Sequence, residues 1–402
     1  MPRLVDHPSR TYPFHTFLWK IASRCNINCT YCYVYNLGDD TWKDQPHFMS
    51  AETARRTAER MREHLEANGK KDAAIIFHGG EPLMLGVKRL SALVKQVRDV
   101  FDGTDLQIKI GMQSNLMLFD QAIGDFMLRE GISVGVSLDG PAHVNDVYRV
   151  DHKGRGTSKR IEKKLDLLLS PQYRHLFTGL LCVINPRTDA EAVLDYFLSL
   201  EPHSIDFLLP LNNYDNPPLG HENGSQETLY GDWMIRSFNH WIRSGTRTRV
   251  RYYDSIIRMI CGSSTSVESI GLLPVDIIVV ETNGALEAVD SLKSAFSGAA
   301  KLGFSVRTHS FDEVAAHYGV RIRQLGADGL CETCQRCKVV DVCGAGYYPH
   351  RYSSINGFNN PSVYCADLKK LIGHINRVVA DEVRDQVSPS RRAMAGAELA
   401  TP

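Results

Sequence analysis

The stretch Arg24-Cys25-Asn-Ile-Asn-Cys29-Thr-Tyr31-Cys32 decides the fold, because it spaces three cysteines as C-x3-C-x2-C. It follows directly after an apolar run, residues 14–21, that predicts the first strand. Three thiolates on one short loop can bind three corners of an iron–sulfur cubane and leave the fourth iron without a protein ligand. Zinc is the alternative, although zinc sites usually have a fourth protein ligand and cysteines in C-x2-C pairs. The spacing therefore favours a cluster with one iron open to a small chelating molecule.

The composition gives no chain-wide electrostatic preference, since Lys+Arg and Asp+Glu are equal at 46 each in 402 residues. We expect neither a nucleic-acid nor a membrane partner, and the basic segment 243–254 is typical of a solvated face. The first residues lack a signal-peptide core, and no run of about 18 apolar residues predicts a transmembrane helix. A cytoplasmic enzyme is expected. Most of the ten cysteines fall in two tight groups, which in that compartment indicates metal binding rather than disulfides.

The first half alternates between apolar strands and amphipathic helices in six strand–helix units. Strands are predicted at residues 14–21, 73–77, 106–112, 132–138, 178–184 and 204–209, and helices at 50–67, 87–102, 120–129, 157–170 and 187–200. This alternation predicts an α/β fold with a parallel sheet and right-handed crossovers. It fits an open, partial (β/α)6 barrel and also a doubly wound sheet, which periodicity alone does not separate.

The second half changes character after a polar linker, residues 211–224. A helix is predicted at 226–243, and then a β-hairpin over residues 275–289 whose turn is Asn283-Gly284. Residues 331–365 are rich in Cys, Gly, Tyr and Asn and must be ordered by something other than an apolar core. The small, polar tail is expected to be disordered. The predicted regions are therefore 1–224, 225–300, 301–385 and the tail 386–402.

The cysteine loop, residues 24–32, resembles that of the radical S-adenosylmethionine (SAM) superfamily, which has C-x3-C-x-aromatic-C after the first strand of a partial, TIM-like barrel. The resemblance implies that Cys25, Cys29 and Cys32 hold a [4Fe–4S] cluster whose open iron is chelated by the amino and carboxylate groups of SAM. One electron then splits SAM into methionine and a 5′-deoxyadenosyl radical, which abstracts a substrate hydrogen. Tyr31 matches the aromatic residue near the adenine, with simple packing beside the loop as the alternative.

Four further segments resemble the SAM-binding positions of that superfamily: GGEP after the second strand, QSN after the third, SLDGP after the fourth, and the arginine of NDVYR. Two glycines allow the backbone to approach a ligand closely, and a guanidinium suits the SAM carboxylate. For Arg149 the alternative is a surface charge. Leu181, on the fifth strand, could pack on the adenine, with core packing as the alternative. The resemblance implies SAM contacts at Gly79, Gly80, Glu81, Ser114, Asn115, Ser137, Arg149 and Leu181.

A second group of cysteines, Cys331-x2-Cys334-x2-Cys337-x5-Cys343, is followed after 21 residues by Cys365. These thiols exceed what one zinc ion needs, although a zinc ribbon is the alternative. The segment resembles a SPASM extension, which carries auxiliary iron–sulfur clusters in enzymes that modify peptides and proteins. The resemblance implies that the last four of these cysteines hold an auxiliary [4Fe–4S] cluster.

The sequence departs from the SPASM pattern for a second auxiliary cluster. Val289 and Tyr347 stand where that pattern has cysteines, and only Cys261 and Cys331 remain as ligands. Because two thiolates rarely hold a cubane alone, we expect this cluster to be absent, or completed by other ligands.

Asp290 follows the first of these replaced positions. In sulfatase-maturating relatives an Asp at the matching position takes a proton from the substrate radical site, so the resemblance implies a general base. The alternative is an Asp that caps the turn after the hairpin.

Residues 281–295 and 346–368 most resemble the subgroup of radical SAM/SPASM enzymes that crosslink ribosomally made precursor peptides. We therefore expect a cyclophane-forming enzyme that joins a side-chain Cβ to an aromatic ring of such a peptide. We expect its electrons to come from a donor of the flavodoxin or ferredoxin type. One alternative is oxidation of a Ser or Cys of a sulfatase to formylglycine. Another, outside enzymes, is an iron–sulfur redox or metal-sensing protein.

Overall fold

The computed structural model describes residues 12–221, 227–265 and 267–398 of the chain. Within these residues ten strands form one sheet in the order β10-β9-β8-β1-β2-β3-β4-β5-β6-β7. The strands are β1 Thr16–Ala22, β2 Asp72–Gly79, β3 Gln107–Ser114, β4 Ser133–Ser137, β5 Phe177–Val183, β6 Ser204–Leu208, β7 Arg249–Val250, β8 Ile277–Val280, β9 Ala285–Glu287 and β10 Lys301–Ser305.

Strands β1 to β6 lie side by side in chain order, and each neighbouring pair is parallel. A doubly wound sheet would instead reverse its strand order at one point. Sequential order with right-handed crossovers keeps the connecting helices on one face, as in a barrel. The predicted α/β class is confirmed, and the strand order identifies the open, partial (β/α)6 barrel.

The helices of the barrel follow the predicted alternation: α1 Ala51–Ala67, α2 Gly86–Phe101, α3 Gln121–Glu130, α4 Ala142–Tyr148, α5 Ser158–Leu168 and α6 Ala190–Ser199. The start of α1 is fixed by Ser50, whose side chain accepts a hydrogen bond from the backbone N–H of Thr53. Asp120 and Asp189 begin α3 and α6 in the same way. These caps place the three helix starts within three residues of the predicted positions.

Side chains of β1 and β2 alternate between two environments, as the period of a strand requires. Phe17 and Trp19 are fully buried in the main core, and Trp19 packs against Phe77 of β2. Leu18 and His78, on the alternate positions, line a cavity inside the barrel. The alternation therefore decides which residues of each strand can face a ligand.

The second half of the chain extends the barrel sheet. Strand β8 pairs in parallel with β1, and β9 and β10 add antiparallel neighbours at that edge. The hairpin turn between β8 and β9 contains Gly284 with φ +87°, a value that favours glycine. The predicted boundaries at 224/225 and 300/301 thus fall within one continuous sheet. The remaining helices are α7 Leu229–Ser244, α8 Arg251–Ile260, α9 Phe311–Ala315, α10 Tyr318–Arg321, α11 Glu332–Gln335, α12 Val340–Cys343 and α13 Cys365–Glu398.

Three sequence expectations need correction. The helix expected at 226–243 begins at Leu229, and residue 226 lies outside the described residues, as do 222–224 of the predicted linker. The described part of that linker is tied to the C-terminal region, because Tyr214 N–H donates to Tyr352 O and Asp215 accepts from Ser354 N–H. Helix α13 continues to Glu398 through most of the tail expected to be disordered, where Arg, Met, Ala and Glu are good helix formers; residues 399–402 lie outside the described residues.

None of the helices in the described part of the chain is long and apolar enough to cross a membrane.

Candidate active site

A cavity of about 460 Å³ lies at the carboxyl ends of the barrel strands, where folds of this kind carry their chemistry. Its lining includes the cysteine loop, the polar segments that follow β2 to β5, and residues after β9. All of the residues predicted to bind the first cluster or SAM contribute to it: Cys25, Cys29, Cys32, Tyr31, Gly79, Gly80, Glu81, Ser114, Asn115, Ser137, Arg149 and Leu181. The residue predicted as the base, Asp290, lines the same cavity.

The cysteine loop is held by backbone hydrogen bonds to its own turn and to the segment after α4. Cys32 N–H donates to Cys29 O at 3.0 Å, and Asn28 N–H donates to Val150 O at 2.8 Å. Burial raises the pKa of Cys25 to about 12 and that of Cys32 to about 11. The bare thiols are therefore protonated at neutral pH, and a bound metal must supply the positive charge that makes them thiolates. Three neighbouring thiols whose pKa values are raised by burial fit a metal cluster.

The sulfur spacing separates a cluster from a single zinc ion. Among the described residues, the three-membered set of metal-ligating atoms lying within 4.8 Å of one another is Glu281, Glu287 and Asp290, and no cysteines form one. Tetrahedral Zn–S bonds of about 2.3 Å would hold the sulfur atoms within roughly 4 Å of each other. Both cysteine groups are thus more open than a zinc site, which favours clusters over the zinc alternatives.

Two glycines allow the end of β2 to touch the cysteine loop. Gly80 N–H donates to Ala22 O at 2.8 Å, and a Cβ on Gly80 would stand 2.1 Å from Arg24 O. A Cβ on Gly79, whose φ is +139°, would stand 2.0 Å from Ala22 O. The GGEP glycines therefore serve the close approach of two backbones as well as leaving room for a ligand.

Glu81 connects neighbouring loops through its buried carboxylate. The side chain is 1% exposed and accepts hydrogen bonds from Leu83 N–H, Ser114 Oγ and Asn115 N–H at 2.7–3.0 Å. Burial raises the pKa of Glu81, and these donors oppose that rise. Because both oxygens are already engaged, Glu81 fixes the loops that follow β2 and β3. The Asn115 amide then reaches Asn26 Oδ1 at 2.8 Å, next to Cys25.

A buried polar chain crosses the cavity from Arg149 to the segment after β4. Arg149 Nη1 donates to Tyr31 Oη at 2.9 Å, and Tyr31 Oη donates to Asp139 Oδ2 at 2.6 Å. Arg149 is 6% exposed, and its Nε has no hydrogen-bond partner among the described residues. A buried guanidinium with a free donor at the cavity fits the carboxylate of a ligand. Ser137, on the same segment, accepts a hydrogen bond from Gln113 Nε2 at 2.8 Å.

Five charged side chains form what we call the buried charge network: Lys20, Glu281, Glu287, Asp290 and Lys293. Asp290 begins the 3₁₀ turn Asp290–Ser294 and is 4% exposed. Lys20 Nζ donates to Asp290 Oδ1 at 3.0 Å, and Tyr33 Oη donates to Oδ2 at 3.1 Å. Burial acts to raise the pKa of Asp290, but the Lys20 and Lys293 ammonium groups hold it well below its usual range. Asp290 therefore faces the cavity as a carboxylate.

The four C-terminal cysteines Cys334, Cys337, Cys343 and Cys365 line a small pocket of their own. Burial raises the pKa of Cys334 to about 12 and of Cys343 to about 11, so this set also needs a metal to become thiolate. The structure thus brings together the four thiols that the resemblance assigned to one auxiliary cluster.

The two cysteines left for a second auxiliary cluster are not brought together. Cys261 is exposed at the end of α8, whereas Cys331 packs beside Cys334 at the first auxiliary pocket. Val289 is buried, and Tyr347 Oη donates to Ser291 Oγ at 2.6 Å at the cavity wall. Cys261 and Cys331 thus lie in different surroundings, and the expectation that the second auxiliary cluster is absent or completed by other ligands stays a prediction.

Sequence reasoning missed Asp139, Lys20, Lys293, Glu281 and Tyr33. Asp139 stands within the quoted SLDGP motif, so its signal was present but unassigned. The lysines carry no local signal, since a Lys in a strand or turn is usually solvated. Lys20 is 2% and Lys293 1% exposed. Cys182, which belongs to neither cysteine group, is buried in the main core.

The chain is similar to proteins of known family. Residues 19–197 match the family model of the radical SAM superfamily. A cysteine-type anaerobic sulfatase-maturating enzyme of Clostridium perfringens is 25% identical over 367 residues, which are 89% of this chain and 95% of the relative. A serine-type anaerobic sulfatase-maturating enzyme of Klebsiella aerogenes is 25% identical over 364 residues, 86% of this chain and 82% of the relative.

Solved structures share the fold across most of the chain. One, described as native anSMEcpe with bound AdoMet, has a TM-score of 0.77 and 23% identity and covers 92% of this chain and 99% of its own. Another, of the same protein with bound AdoMet and the Cp18Cys peptide, has a TM-score of 0.74 and 22% identity at the same coverage. The likeness extends well beyond residues 19–197, the segment matched by the family model.

Proposed function

We propose that this radical SAM enzyme oxidises a side chain of a peptide or protein segment bound in the central cavity. The observation that carries the proposal is that the cysteine loop and the Asp290 carboxylate face the same cavity. A substrate bound there can lose a hydrogen atom from one carbon and a proton from a neighbouring atom in the same cavity.

The cofactors are a [4Fe–4S] cluster and SAM, with the auxiliary cluster suited to the four C-terminal cysteines. When bound, they supply the 5′-deoxyadenosyl radical that removes a substrate hydrogen atom and an acceptor for the surplus electron. Cys25, Cys29 and Cys32 would hold the first cluster, and Arg149 would pair with the SAM carboxylate. Gly79, Tyr31, Ser137 and Leu181 are the remaining contacts that we propose for SAM; all line the cavity.

The protein's own residues handle the proton. Oxidation of a Ser side chain to an aldehyde removes one hydrogen atom from Cβ, one proton from the hydroxyl group and one electron. Asp290 is ionised, faces the cavity and is fixed by Lys20 and Tyr33, so it is placed to accept that proton. Its pKa lies below its usual range, which makes it a weak base that needs a further acceptor behind it.

The sulfatase-maturating relatives support oxidation of a Ser or Cys to formylglycine better than the crosslink expected from the sequence. Their similarity spans nearly the whole chain, whereas the resemblance to crosslinking enzymes rests on two short runs. Both reactions begin at a side-chain Cβ in the same cavity. We therefore propose the oxidation, and treat the crosslink as an outcome of the test.

The test is incubation of the anaerobically reconstituted protein with SAM, a reductant and sulfatase active-site peptides that carry the target Ser or Cys. We expect 5′-deoxyadenosine, a loss of two hydrogens from the Ser peptide, and labelling of the product by an aldehyde-reactive probe. Asp290→Asn should still cleave SAM but form less aldehyde.

Two other results would redirect the proposal. A loss of two hydrogens from an aromatic-containing peptide without aldehyde labelling would favour the crosslink. The absence of 5′-deoxyadenosine from a protein with a full iron complement would favour the redox or sensing alternative.

A further inference from the structure

The buried charge network has an unequal number of positive and negative groups. Its three carboxyl groups face two ammonium groups, and every one of these side chains is at most 5% exposed. Burying an unbalanced charge costs free energy, and the usual result is that one group changes its protonation state. One of the three carboxyl groups is thus the natural place for an exchangeable proton.

The contacts single out Glu287. Asp290 is hydrogen-bonded at both oxygens, by Lys20 and by Tyr33. Glu281 Oε1 lies 2.5 Å from Lys293 Nζ and 3.4 Å from Lys20 Nζ, so it is shared by both ammonium groups. Glu287 has one cation nearby, Lys293, 3.0 Å from its Oε2, and that oxygen still lacks a well-formed hydrogen bond among the described residues. Glu287 is therefore the least compensated carboxyl group.

Lys293 connects this group to the cavity. Its Nζ lies 3.5 Å from Asp290 Oδ1 and 3.0 Å from Glu287 Oε2, and the side chain is 1% exposed. A proton can therefore pass between the two carboxyl groups through one ammonium group without entering solvent. Asp290 lines the cavity, so the route begins at the position proposed for the substrate.

We propose that Glu287 is the terminal acceptor of the proton released by the substrate, reached from Asp290 through Lys293. Asp290 takes the proton while Lys293 gives one of its own to Glu287 and is reprotonated by Asp290. Lys293 remains an ammonium ion, and the net change is one proton moved from substrate to Glu287. Glu287 acts through two other residues, so it is a positioning residue for this proton. The source of the proton rests on the proposed function, but the protonation of Glu287 does not.

The electrostatic surroundings agree with this assignment. Burial raises the pKa of Glu287 to about 7, with Lys293 and Lys20 lowering it and Glu281 and Asp290 raising it. These four are the charged groups that act on it from β1, from the turn after β8 and from the 3₁₀ turn after β9; His78 and Tyr33 act on Asp290 from the cavity side. A base with a pKa near the working pH is well matched to proton transfer.

The same three carboxyl groups could be taken for a cation site, since their oxygen atoms lie within 4.8 Å of one another. Lys293 Nζ, however, lies within 3.5 Å of an oxygen atom of each of them. An ammonium group thus already stands where a metal ion would bind. The network is better described as an ion-pair cluster than as a metal site.

The test is infrared difference spectroscopy of the reconstituted full-length protein, titrated from about pH 5 to 9 without substrate. We expect the carbonyl band of a protonated carboxyl group to disappear with a midpoint at about pH 7. Glu287→Gln should remove this band. Glu268→Gln is the matched control, because Glu268 is a partly buried glutamate at the cavity and its partners lie outside the network, so the Glu287 band should remain.

Glu281→Gln gives a second reading if Glu287→Gln does not fold. It leaves two carboxyl groups facing two ammonium groups, so the midpoint of the Glu287 band should move to lower pH. The proposal is wrong if a band with a midpoint near 7 survives in folded Glu287→Gln, or if Glu281→Gln leaves the midpoint where it was. Loss of the band on addition of Mg²⁺ or Mn²⁺, with a rise in melting temperature, would also overturn it in favour of a metal site.

Turnover provides the functional reading. Oxidation of the peptide should slow as the pH falls through about 7 in the wild-type protein, because Glu287 is then already protonated. Glu287→Gln should hold the rate above about pH 7 at the low level that the wild-type protein shows below it, so that the pH dependence disappears while the Kd for SAM stays unchanged. If no peptide is oxidised but the infrared band behaves as expected, the proposed function fails while the assignment of the proton to Glu287 stands. If Glu287→Gln oxidises the peptide and its rate falls below about pH 7 as in the wild-type protein, the proton relay is wrong and the proposed function stands.

Discussion

The cysteine loop lines the cavity and the buried charge network reaches it through Asp290, but the two regions are stabilised in different ways. The loop presents three thiols whose pKa values burial raises, so it is complete only when a metal binds. The network contains its own positive and negative groups and is complete in the protein alone. The comparison shows that the cysteine loop needs a bound group to complete it, whereas the charge network is part of the folded structure. Changes in the loop should thus affect chemistry, and changes in the network should affect folding as well.

The largest effect is expected from Cys25→Ala, Cys29→Ala and Cys32→Ala combined. Reductive cleavage of SAM should be lost completely, because no ligand of the first cluster remains, while the iron held by the C-terminal cysteines should stay. Iron and sulfide analysis together with 5′-deoxyadenosine assay measures both. Cys182→Ala, which removes a buried thiol of the core, is the control and should retain cleavage. Residual cleavage by the triple variant would contradict the assignment of the loop.

A smaller but clear effect is expected from Lys293→Met, which tests whether the network is part of the fold. Removing one partner of a buried ion pair leaves uncompensated carboxylates, which should lower the free energy of unfolding by about 3–5 kcal/mol. Urea denaturation measures this change. Lys301→Met is the matched control, since Lys301 is exposed on β10 and should have little effect. Equal denaturation midpoints for the two variants would show that the network does not stabilise the protein.

The smallest of the three effects is expected from Arg149→Lys, which keeps the charge at the loop but removes the planar fork. Loss of a charge-assisted hydrogen bond is worth about 1.5–3 kcal/mol, so the Kd for SAM should rise about 10- to 100-fold. Isothermal titration of the reconstituted protein with SAM measures it. Arg155→Lys, at an arginine whose side chain is 67% exposed, should leave the Kd unchanged. An unaltered Kd in Arg149→Lys would remove Arg149 from the site.

Much of the fold and half of the site could be predicted because their signals are local. The C-x3-C-x2-C loop, GGEP, QSN and SLDGP each fit within a few residues, and each follows a strand that the apolar pattern identifies. Parallel strands bring such segments to one edge, so the cavity could be anticipated from their order alone. The four C-terminal cysteines were found for the same reason, since their spacing is fixed by short turns. The choice between a barrel and a doubly wound sheet was decided only by the observed strand order.

The rest of the site could not be predicted because its parts are distant in sequence. The ion pair of Lys20 with Asp290 joins residues 270 positions apart, and no local pattern distinguishes Lys20 from a solvated charge. Nor does the spacing of the cysteines show that Cys261 is exposed whereas Cys331 packs beside Cys334.

The sequence by itself determined that three thiols on one loop follow the first strand, and that four more near the C-terminus are spaced for a second cluster. Tertiary structure alone decided that Lys20, Glu281, Glu287, Asp290 and Lys293 meet behind the cavity. The physical reason is that a thiol group is recognisable by its chemistry wherever it stands. A buried charge is tolerated only when distant segments bring its partners within a few ångströms.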